Sequence, residues 1–414
     1  MYYSTGIIPL HTRVMRMPTV LSSIQSWTWD RPSFVKFLLV LLLGLTSRHV
    51  PAGSPVQDTQ SKASKFKVIV IDESPTLTKI SAVNSRGEAI GIREVENQKQ
   101  FSLEAHQFFR SADGRVEEIK PLTDYTNLEL SGLSDDGMAV GFCSRPLGSD
   151  GGSLTAVVWN SKTKVLTDLG KAPGDTASHA QSISEDGRKI VGYTTGSDPA
   201  RLRPCVWNHQ SDGAWTIELL ETIHDYNPYL MASRAVISPN AQLIAGCITV
   251  AFLPNGQIDS SLFVWQHTDS GWKRHLVSDE QLWLGGINNS GTIGGGILQP
   301  HGRMPCLFDA SGKMQSIQLL AGDVTGEIWG VDAAGIAYGI SDDPHGPEGG
   351  PVAIAWHSGE TTRLPLGSNS IFNAAYCVHS SGTVGGLMDV TYPGKNAEEP
   401  TVRTVGFILQ PIRK

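Results

Sequence analysis

The hydrophobic pattern of the chain is made of short apolar runs interrupted by turn residues, and residues 180–192 (AQSISEDGRKIVG) show it most clearly. An apolar residue, Ile183, ends a first strand. Ser184 can then hydrogen-bond its own backbone to start a turn, and Gly187 takes the left-handed conformation that closes the turn. This stretch therefore predicts a β-hairpin.

The same hairpin occurs seven times. Its closing position is residue 87, 137, 187, 241, 291, 335 or 382, so successive turns are 50, 50, 54, 50, 44 and 47 residues apart. The fourth closing residue is Ala241 where the other copies have Gly, and we expect a strained or rebuilt turn there. A second Gly inside each return strand indicates close approach by a neighbouring group.

Each repeat also contains a third and a fourth short strand. The third strands lie at 107–110, 156–159, 204–207, 262–265, 305–308, 353–356 and 406–409. The fourth strands lie at 116–119, 165–169, 216–219, 273–276, 315–319 and 362–365. A repeat of this length with four strands is typical of a β-propeller. A stack of β-sandwiches is the competing architecture, but its strands would not recur at the period of one blade.

The strand count also predicts how the ring closes. The seventh repeat supplies three strands, whereas residues 66–71 (FKVIVI) have no partner within their own repeat. If they complete the last blade, no long sheet edge is left open. We therefore predict an all-β fold: a seven-bladed β-propeller of four-stranded antiparallel blades, one domain over 65–410, closed by an N-terminal strand at about 66–72.

One aromatic residue recurs at the end of the third strand: Trp159, Trp207, Trp265, Phe308 and Trp356. These side chains could form a binding ring. One large apolar residue per repeat is also what a repeating core needs, and we therefore expect them to be wedges between neighbouring blades.

The N-terminal region predicts export. Arg31 and Lys36 precede the apolar run 37–45, which is far shorter than the roughly 20 residues of a membrane span but has the length of a signal-peptide core. Small residues near Ala52 suit signal peptidase. We predict a signal peptide with a long amino-terminal region at 1–52, a flexible linker at 53–64 and no transmembrane span in the mature chain.

Composition excludes some classes of function. The net charge is −7, which argues against a nucleic-acid partner, because such partners require a basic face. The five cysteines (Cys143, Cys205, Cys247, Cys306, Cys377) are few, odd in number and without a CxxC pair, so neither a disulfide framework nor a structural zinc site is indicated. We expect small buried hydrophobic side chains.

The segments 166–170 (LTDLG) and 178–187 (SHAQSISEDG) resemble the HAF family of bacterial extracellular repeats. The likeness extends over all seven repeats, from about residue 80 to 410. The His for which the family is named occurs here only as His106. The resemblance implies an exported, propeller-like protein in a secreted or periplasmic location, and it implies no catalytic residues.

Loop length distinguishes the two faces of the predicted propeller. The hairpin turns are short and alike, whereas the connections between second and third strands are long and different: 92–104, 143–154, 193–203, 248–261, 297–303, 341–351 and 389–403. They share a face with the blade-to-blade connections, which carry Tyr125, Tyr226, Tyr229, Trp283, Trp329 and Phe372. Variable loops on a rigid scaffold usually carry binding, so these six aromatic residues are the predicted ligand-binding set. The alternative is that they plug the channel mouth.

Three functions remain open from the sequence. The first is an exported, monomeric, non-enzymatic module that binds a protein or polysaccharide at its loop-rich face. It is favoured because no catalytic constellation is readable, and no catalytic residue, cofactor or metal is assigned. The second is a secreted glycan-active hydrolase or lyase with carboxylates at the channel mouth. The third is a purely structural surface module. Asp342, Asp343 and Glu348 could hold calcium, although such a loop is usually just solvated.

Overall fold

The computed structural model describes residues 66–97, 102–145, 154–196, 202–221, 234–252, 258–280, 282–299, 302–344, 350–367, 370, 372–392 and 401–412. The predicted signal peptide (1–52) and linker (53–64) lie outside these residues. The described part is all-β and forms seven antiparallel sheets of four strands each, as the sequence predicts. It contains no helix with the length and apolar character needed to cross a membrane.

The seven sheets are the blades, numbered here in chain order. Blade 1 comprises β2 (Thr78–Val83), β3 (Ala89–Asn97), β4 (Ser102–Arg110) and β5 (Val116–Ile119), and blade 2 comprises β6 (Asn127–Leu133), β7 (Met138–Ser144), β8 (Leu154–Asn160) and β9 (Val165–Asp168). Blade 3 comprises β10 (Ala177–Ile183), β11 (Lys189–Thr195), β12 (Leu202–His209) and β13 (Trp215–Leu219), and blade 4 comprises β14 (Arg234–Ile237), β15 (Leu243–Phe252), β16 (Ile258–Thr268) and β17 (Gly271–Ser278). Blade 5 comprises β18 (Leu282–Ile287), β19 (Ile293–Gln299), β20 (Gly302–Phe308) and β21 (Met314–Ser316), and blade 6 comprises β22 (Thr325–Val331), β23 (Ala337–Asp342), β24 (Val352–His357) and β25 (Glu360–Arg363). Blade 7 comprises β26 (Asn373–Val378), β27 (Val384–Tyr392), β28 (Thr401–Pro411) and β1 (Phe66–Ile71).

The N-terminal strand closes the ring. β1 pairs antiparallel with β28 in a continuous register from Phe66 opposite Pro411 to Ile71 opposite Gly406. Blade 7 therefore combines three strands from the end of the domain with one from its beginning. The predicted mode of closure is confirmed, and it protects what would otherwise be an open sheet edge in blade 7.

The apolar core lies between the blades. Each hydrophobic cluster combines residues of two neighbouring blades, and Trp207 of blade 3, which is 0% exposed, packs with Val140 and Ala156 of blade 2. The other aromatic residues at this position are also buried: Trp159, Trp265, Phe308 and Trp356. They are the wedges that the repeat pattern predicts, and their burial excludes them from a binding ring.

The hairpin turns have the predicted backbone conformation. Gly187 has φ 72°, and Ala241 occupies the equivalent position of blade 4 with φ 58°. An L-residue in this left-handed region is disfavoured by roughly 1–2 kcal/mol because its Cβ crowds the following carbonyl oxygen. Blade 4 keeps its turn, with the Ala241 N–H donating to the Ser238 carbonyl at 2.9 Å, and so carries the expected strain.

The long connections differ from the sequence prediction in one respect. In blades 1, 4 and 7 the second and third strands continue to pair far into the segments expected to be loops, as far as Asn97 opposite Ser102 in blade 1 and Tyr392 opposite Thr401 in blade 7. Antiparallel pairing satisfies the backbone groups that a loop would leave to water. The loop-rich face, defined by these connections and the blade-to-blade connections, therefore carries strand extensions as well as loops.

Candidate binding site in the central channel

The first strands of the blades lie innermost, and each contacts the first strand of the next blade around the channel. The second strand of every blade, which is the return strand of the hairpin, contains a Gly. The first-strand residue that pairs with this Gly marks the same position in each blade. The residues immediately before that position in blades 1 to 7 are Lys79, Glu129, His179, Arg234, Trp283, Glu327 and Ala374. Six of the seven blades thus present a large polar or aromatic side chain at one level of the channel, and we call these six residues the channel ring.

The return-strand Gly explains how the ring residues are positioned. A Cβ on Gly141 would lie 1.8 Å from the Glu129 carbonyl oxygen, and one on Gly192 would lie 2.0 Å from that of His179. Only Gly permits so close an approach, as the sequence predicts. A register shift follows directly, between Leu130 and Gly132 in blade 2. A bulge of this kind changes the direction in which the neighbouring side chains point.

Aromatic rings form one wall of the channel, in blades 5 to 7. The Trp283 and Trp329 rings lie 4.2 Å apart with a 63° interplanar angle, and Trp329 contacts Tyr376 edge to face at 5.0 Å. The Arg234 guanidinium lies 5.1 Å from the centre of Trp283 and 5.5 Å from that of Trp329. We call Trp283, Trp329 and Tyr376 the aromatic wall; its side chains are half-buried and border the channel.

Arg234 and Glu327 fix the charge beside the aromatic wall. Burial lowers the pKa of Arg234 to about 10, with Glu327 opposing the shift, so the guanidinium stays charged at neutral pH. Glu327 forms an ion pair with Arg303, whose guanidinium also lies 5.6 Å from the Trp283 ring. Cation–π contacts of this kind hold both the rings and the cations in place.

The wall formed by blades 1 to 3 is polar, and Lys79 and Glu129 lie on it. The Lys79 ammonium lies 4.4 Å from the Tyr376 ring, and Glu129 is exposed to the channel. Within the described residues, neither side chain makes an ion pair or a hydrogen bond. Loss of hydration inside the channel lowers the pKa of Lys79 while Glu129 opposes that shift, and it raises the pKa of Glu129 while Lys79 opposes it. Apart from the Tyr376 ring beside Lys79, these two opposite charges have no direct partner among the described residues.

His179 continues the polar wall in blade 3. Its Nδ1 lies 2.7 Å from the Tyr193 hydroxyl, and its ring contacts Phe142 edge to face at 4.3 Å. Burial lowers the pKa of His179 to about 3, so the imidazole is neutral at physiological pH. Burial raises the pKa of Tyr193, and the negative charge of Glu129 adds to the shift. The pair offers neutral hydrogen-bonding groups beside the charges of Lys79 and Glu129.

The predicted aromatic residues do not all meet. Trp283 and Trp329 lie together in the aromatic wall, but on the first strands β18 and β22 and not in the blade-to-blade connections where the sequence analysis placed them. Tyr125 packs instead on the cluster between blades 1 and 2, with Arg145 4.9 Å from its ring. Phe372 lies against Gly350 between blades 6 and 7. Tyr226 and Tyr229 lie outside the described residues.

The polar members of the channel ring were not predicted from the sequence. Lys79, Glu129, His179 and Arg234 occupy one equivalent position, five residues before the turn in the first three blades, and that position is polar although the strand around it is apolar. Aligning the seven repeats on their Gly residues would have revealed it.

Carboxylates also gather on blade 6 at the loop-rich end. Asp342 pairs with Thr325 at the start of the first strand, and its pKa is raised to about 6 by burial and by the charges of Asp323 and Asp343. The Ser341 hydroxyl donates to Asp323 at 2.5 Å. The protonation of Asp342 therefore changes near neutral pH.

A second polar group lies on the opposite face, which carries the hairpin turns and is called here the turn face. His379 Nε2 of blade 7 is 3.2 Å from Asp135 Oδ1 of blade 2 and 2.9 Å from Glu185 Oε1 of blade 3. Blades 2 and 3 do not adjoin blade 7, so these contacts cross the channel. Imidazole and carboxylates so close together could hold a metal ion.

Comparisons with known proteins establish the fold and no family. No family model matches the chain, and no curated protein matches it in sequence. Among solved structures, it is similar to the β-propeller domain of the Trilobed protease from Pyrococcus furiosus, with 11% identity and a TM-score of 0.50 over 80% of this chain and 93% of that one. That domain has an open velcro topology, whereas β1 closes the present ring.

The acylaminoacyl peptidase of Pyrococcus horikoshii is also similar, with 13% identity and a TM-score of 0.50 over 80% of this chain. The present chain spans about half of that enzyme, 51% of its length. At such identities the likeness establishes a propeller module and carries no activity across.

Proposed function

We propose that this protein is an exported, non-enzymatic binding module that holds a polysaccharide at the loop-rich mouth of its channel. The observation that best supports this proposal is that the two walls of the channel differ, one being aromatic and the other charged. Within the described residues, Lys79 and Glu129 of the charged wall form no ion pair or hydrogen bond. A fixed scaffold with convergent polar groups beside aromatic side chains is the usual form of a small-ligand site. The apolar run 37–45 and the resemblance to HAF repeats support export.

The channel chemistry favours a polysaccharide over a protein ligand. A sugar ring has an apolar face that suits Trp283 and Trp329, and hydroxyl groups that can bond to Lys79 and Glu129. Both ionised groups have lost part of their hydration inside the channel, and a ligand hydroxyl would replace it. A protein partner would instead need a broad surface, of the order of 800 Å² on each side.

Binding to a glycan array, followed by titration of the best ligand, tests the proposal. Lys79→Met and Glu129→Gln should each weaken binding about 10-fold or more, since a hydrogen bond to a charged group contributes roughly 1.5–3 kcal/mol. Trp283→Ala should weaken it as well. The matched controls are Lys164→Met and Glu117→Gln, because these residues form an exposed ion pair on the outer surface.

The controls should bind like the unchanged protein. Binding that survives in Lys79→Met, Glu129→Gln and Trp283→Ala would contradict the proposed site. A protein ligand with no glycan binding would contradict the ligand class.

A second candidate function, a glycan-active hydrolase or lyase, is favoured by one observation, the raised pKa of Asp342. A carboxyl group protonated near neutral pH can act as a general acid, but glycoside hydrolysis also needs a second carboxylate opposite it. Reducing-end release from the bound polysaccharide, lost in Asp342→Asn while binding is kept, would establish this function in place of the first.

A further inference from the structure

The turn of blade 7 differs from its six counterparts. The residue that follows the last apolar residue of the first strand is Asn84, Ser134, Ser184, Ser238, Asn288 or Asp332 in the other blades, and each of these side chains bonds within its own turn. Blade 7 has His379 there. Its Nδ1 also accepts from a backbone N–H of its own turn, that of Ser381, but its longer side chain in addition places Nε2 across the channel mouth at the turns of blades 2 and 3.

The His379 side chain is only 6% exposed. Its Nε2 atom, which reaches across the channel, forms no hydrogen bond of acceptable geometry. Nε2 lies within 3.2 Å of both carboxylates, yet it has no aligned hydrogen-bond partner, and neither does Glu185 Oε1. Among the described residues, no Lys or Arg forms an ion pair with Asp135 or Glu185. Among the described residues, the two carboxylates therefore have one basic neighbour between them, the buried imidazole of His379.

We propose that Asp135, Glu185 and His379 bind a divalent transition-metal ion, Zn²⁺ more tightly than Mn²⁺, on the turn face. Ligands at about 2.0–2.2 Å from a metal lie roughly 3–3.5 Å from one another, close to the separations of Nε2 from the two carboxylates. All three ligand atoms lie within 4.8 Å of one another. A cation would offset the two negative charges, and the imidazole ligand disfavours Ca²⁺ and Mg²⁺, which prefer oxygen.

Neighbouring residues hold the proposed ligands in place. Asp135 Oδ1 accepts bonds from the Ser85 N–H at 2.9 Å and the Ser85 hydroxyl at 2.7 Å. The backbone carbonyl of Glu185 accepts from the Asp135 N–H at 2.9 Å, which ties the turns that carry the two carboxylates together. Such outer contacts orient ligands and increase metal affinity.

Ser381 sets the proton on the His379 ring. Its N–H donates to Nδ1 at 3.1 Å, and its hydroxyl lies 2.9 Å from the same atom. In this arrangement Nδ1 is an acceptor. A metal on Nε2 would require the imidazole proton on Nδ1, where the Ser381 hydroxyl would accept it in place of the Ser381 N–H contact and donate in turn to Thr383, 3.0 Å away.

The bound ion would link blade 7 to blades 2 and 3 across the channel. A ligand that binds the folded state alone stabilises it by mass action, so metal should raise the melting temperature. This inference concerns the turn face and does not depend on polysaccharide binding at the other face.

Metal titration of the untagged, EDTA-treated full-length protein tests the site. We expect one equivalent of Zn²⁺ by calorimetry, and one of Mn²⁺ seen as loss of the free-ion electron paramagnetic resonance signal. His379→Ala and Glu185→Gln should each reduce affinity by more than about 100-fold, and Ser381→Ala by about 10-fold, since outer-contact losses cost 10–100-fold. The control is His357→Ala, an exposed imidazole at the end of β24, which should change nothing.

Glu185→Gln keeps the shape of the side chain, so it reports on the ligand even if His379→Ala unfolds. A melting temperature that rises with Zn²⁺ in the unchanged protein and not in Glu185→Gln would support the site. Absence of stoichiometric Zn²⁺ and Mn²⁺ binding, or equal binding by Glu185→Gln, would overturn it.

Discussion

Replacing Ile71 with Ala tests whether β1 closes the ring. Ile71 is 3% exposed and packs between blades 7 and 1 with Ile80, Phe108 and Ile408. The substitution removes three buried carbons, about 2.4 kcal/mol at roughly 0.8 kcal/mol per methylene group, and the cavity brings the cost to about 3–4 kcal/mol. The neighbouring Val70 is 49% exposed, so Val70→Ala should cost less than about 0.5 kcal/mol.

Urea unfolding followed by tryptophan fluorescence and circular dichroism measures both variants. If β1 seals blade 7, Ile71→Ala lowers the midpoint for the whole propeller and Val70→Ala leaves it unchanged. Equal and small effects of the two substitutions would refute the packing of β1, because a strand detached from blade 7 would bury neither side chain.

Two further predictions concern pH. The pKa of Asp342 is raised from 3.8 to about 6 in the folded protein. The neutral carboxyl group therefore contributes stability that is complete below about pH 4 and is lost as pH rises through 6. The shift corresponds to about 3 kcal/mol, which water at this half-exposed side chain reduces to about 1–2 kcal/mol. Asp342→Asn should therefore stabilise the protein by that amount at pH 7.5 and by nothing at pH 4, measured by urea unfolding; equal effects at both pH values would contradict this. His179 has its pKa lowered from 6.5 to about 3, so its contribution is present above pH 6.5 and is lost as pH falls toward 3. His179→Gln, which cannot acquire that charge, should move the midpoint of acid unfolding to lower pH, and an unchanged midpoint would contradict the burial of a neutral imidazole.

The fold was predictable from sequence because a blade is determined locally. The turn of Ser184 and Gly187 and the wedge Trp207 repeat wherever the same backbone and core are needed. Counting strands then identified 66–71 as the missing partner. The pairing that extends to Asn97 was missed because nothing in 92–104 distinguishes a projecting hairpin from a loop.

The candidate site was only partly predictable. Trp283 and Trp329 were selected for their chemistry, and the ring geometry brings them together. Tyr125 has the same chemistry but packs between blades, and sequence carries no measure of that difference. Lys79 and Glu129 needed the seven repeats to be aligned at single-residue precision. His379 could have been recognised as an exception to the turn pattern, but its partners across the channel required the closed ring.

Hydroxyl-radical footprinting with the bound polysaccharide tests the central claim most directly, because it reports where the ligand lies. Mass spectrometry would compare the oxidation of Trp283, Trp329 and Tyr376 with that of Trp215, which lies on the outermost strand of blade 3 and stacks on His209. The account predicts that ligand protects the three channel residues and leaves Trp215 unchanged. Protection of Trp215, or of residues on the turn face, with the aromatic wall still fully reactive would contradict it.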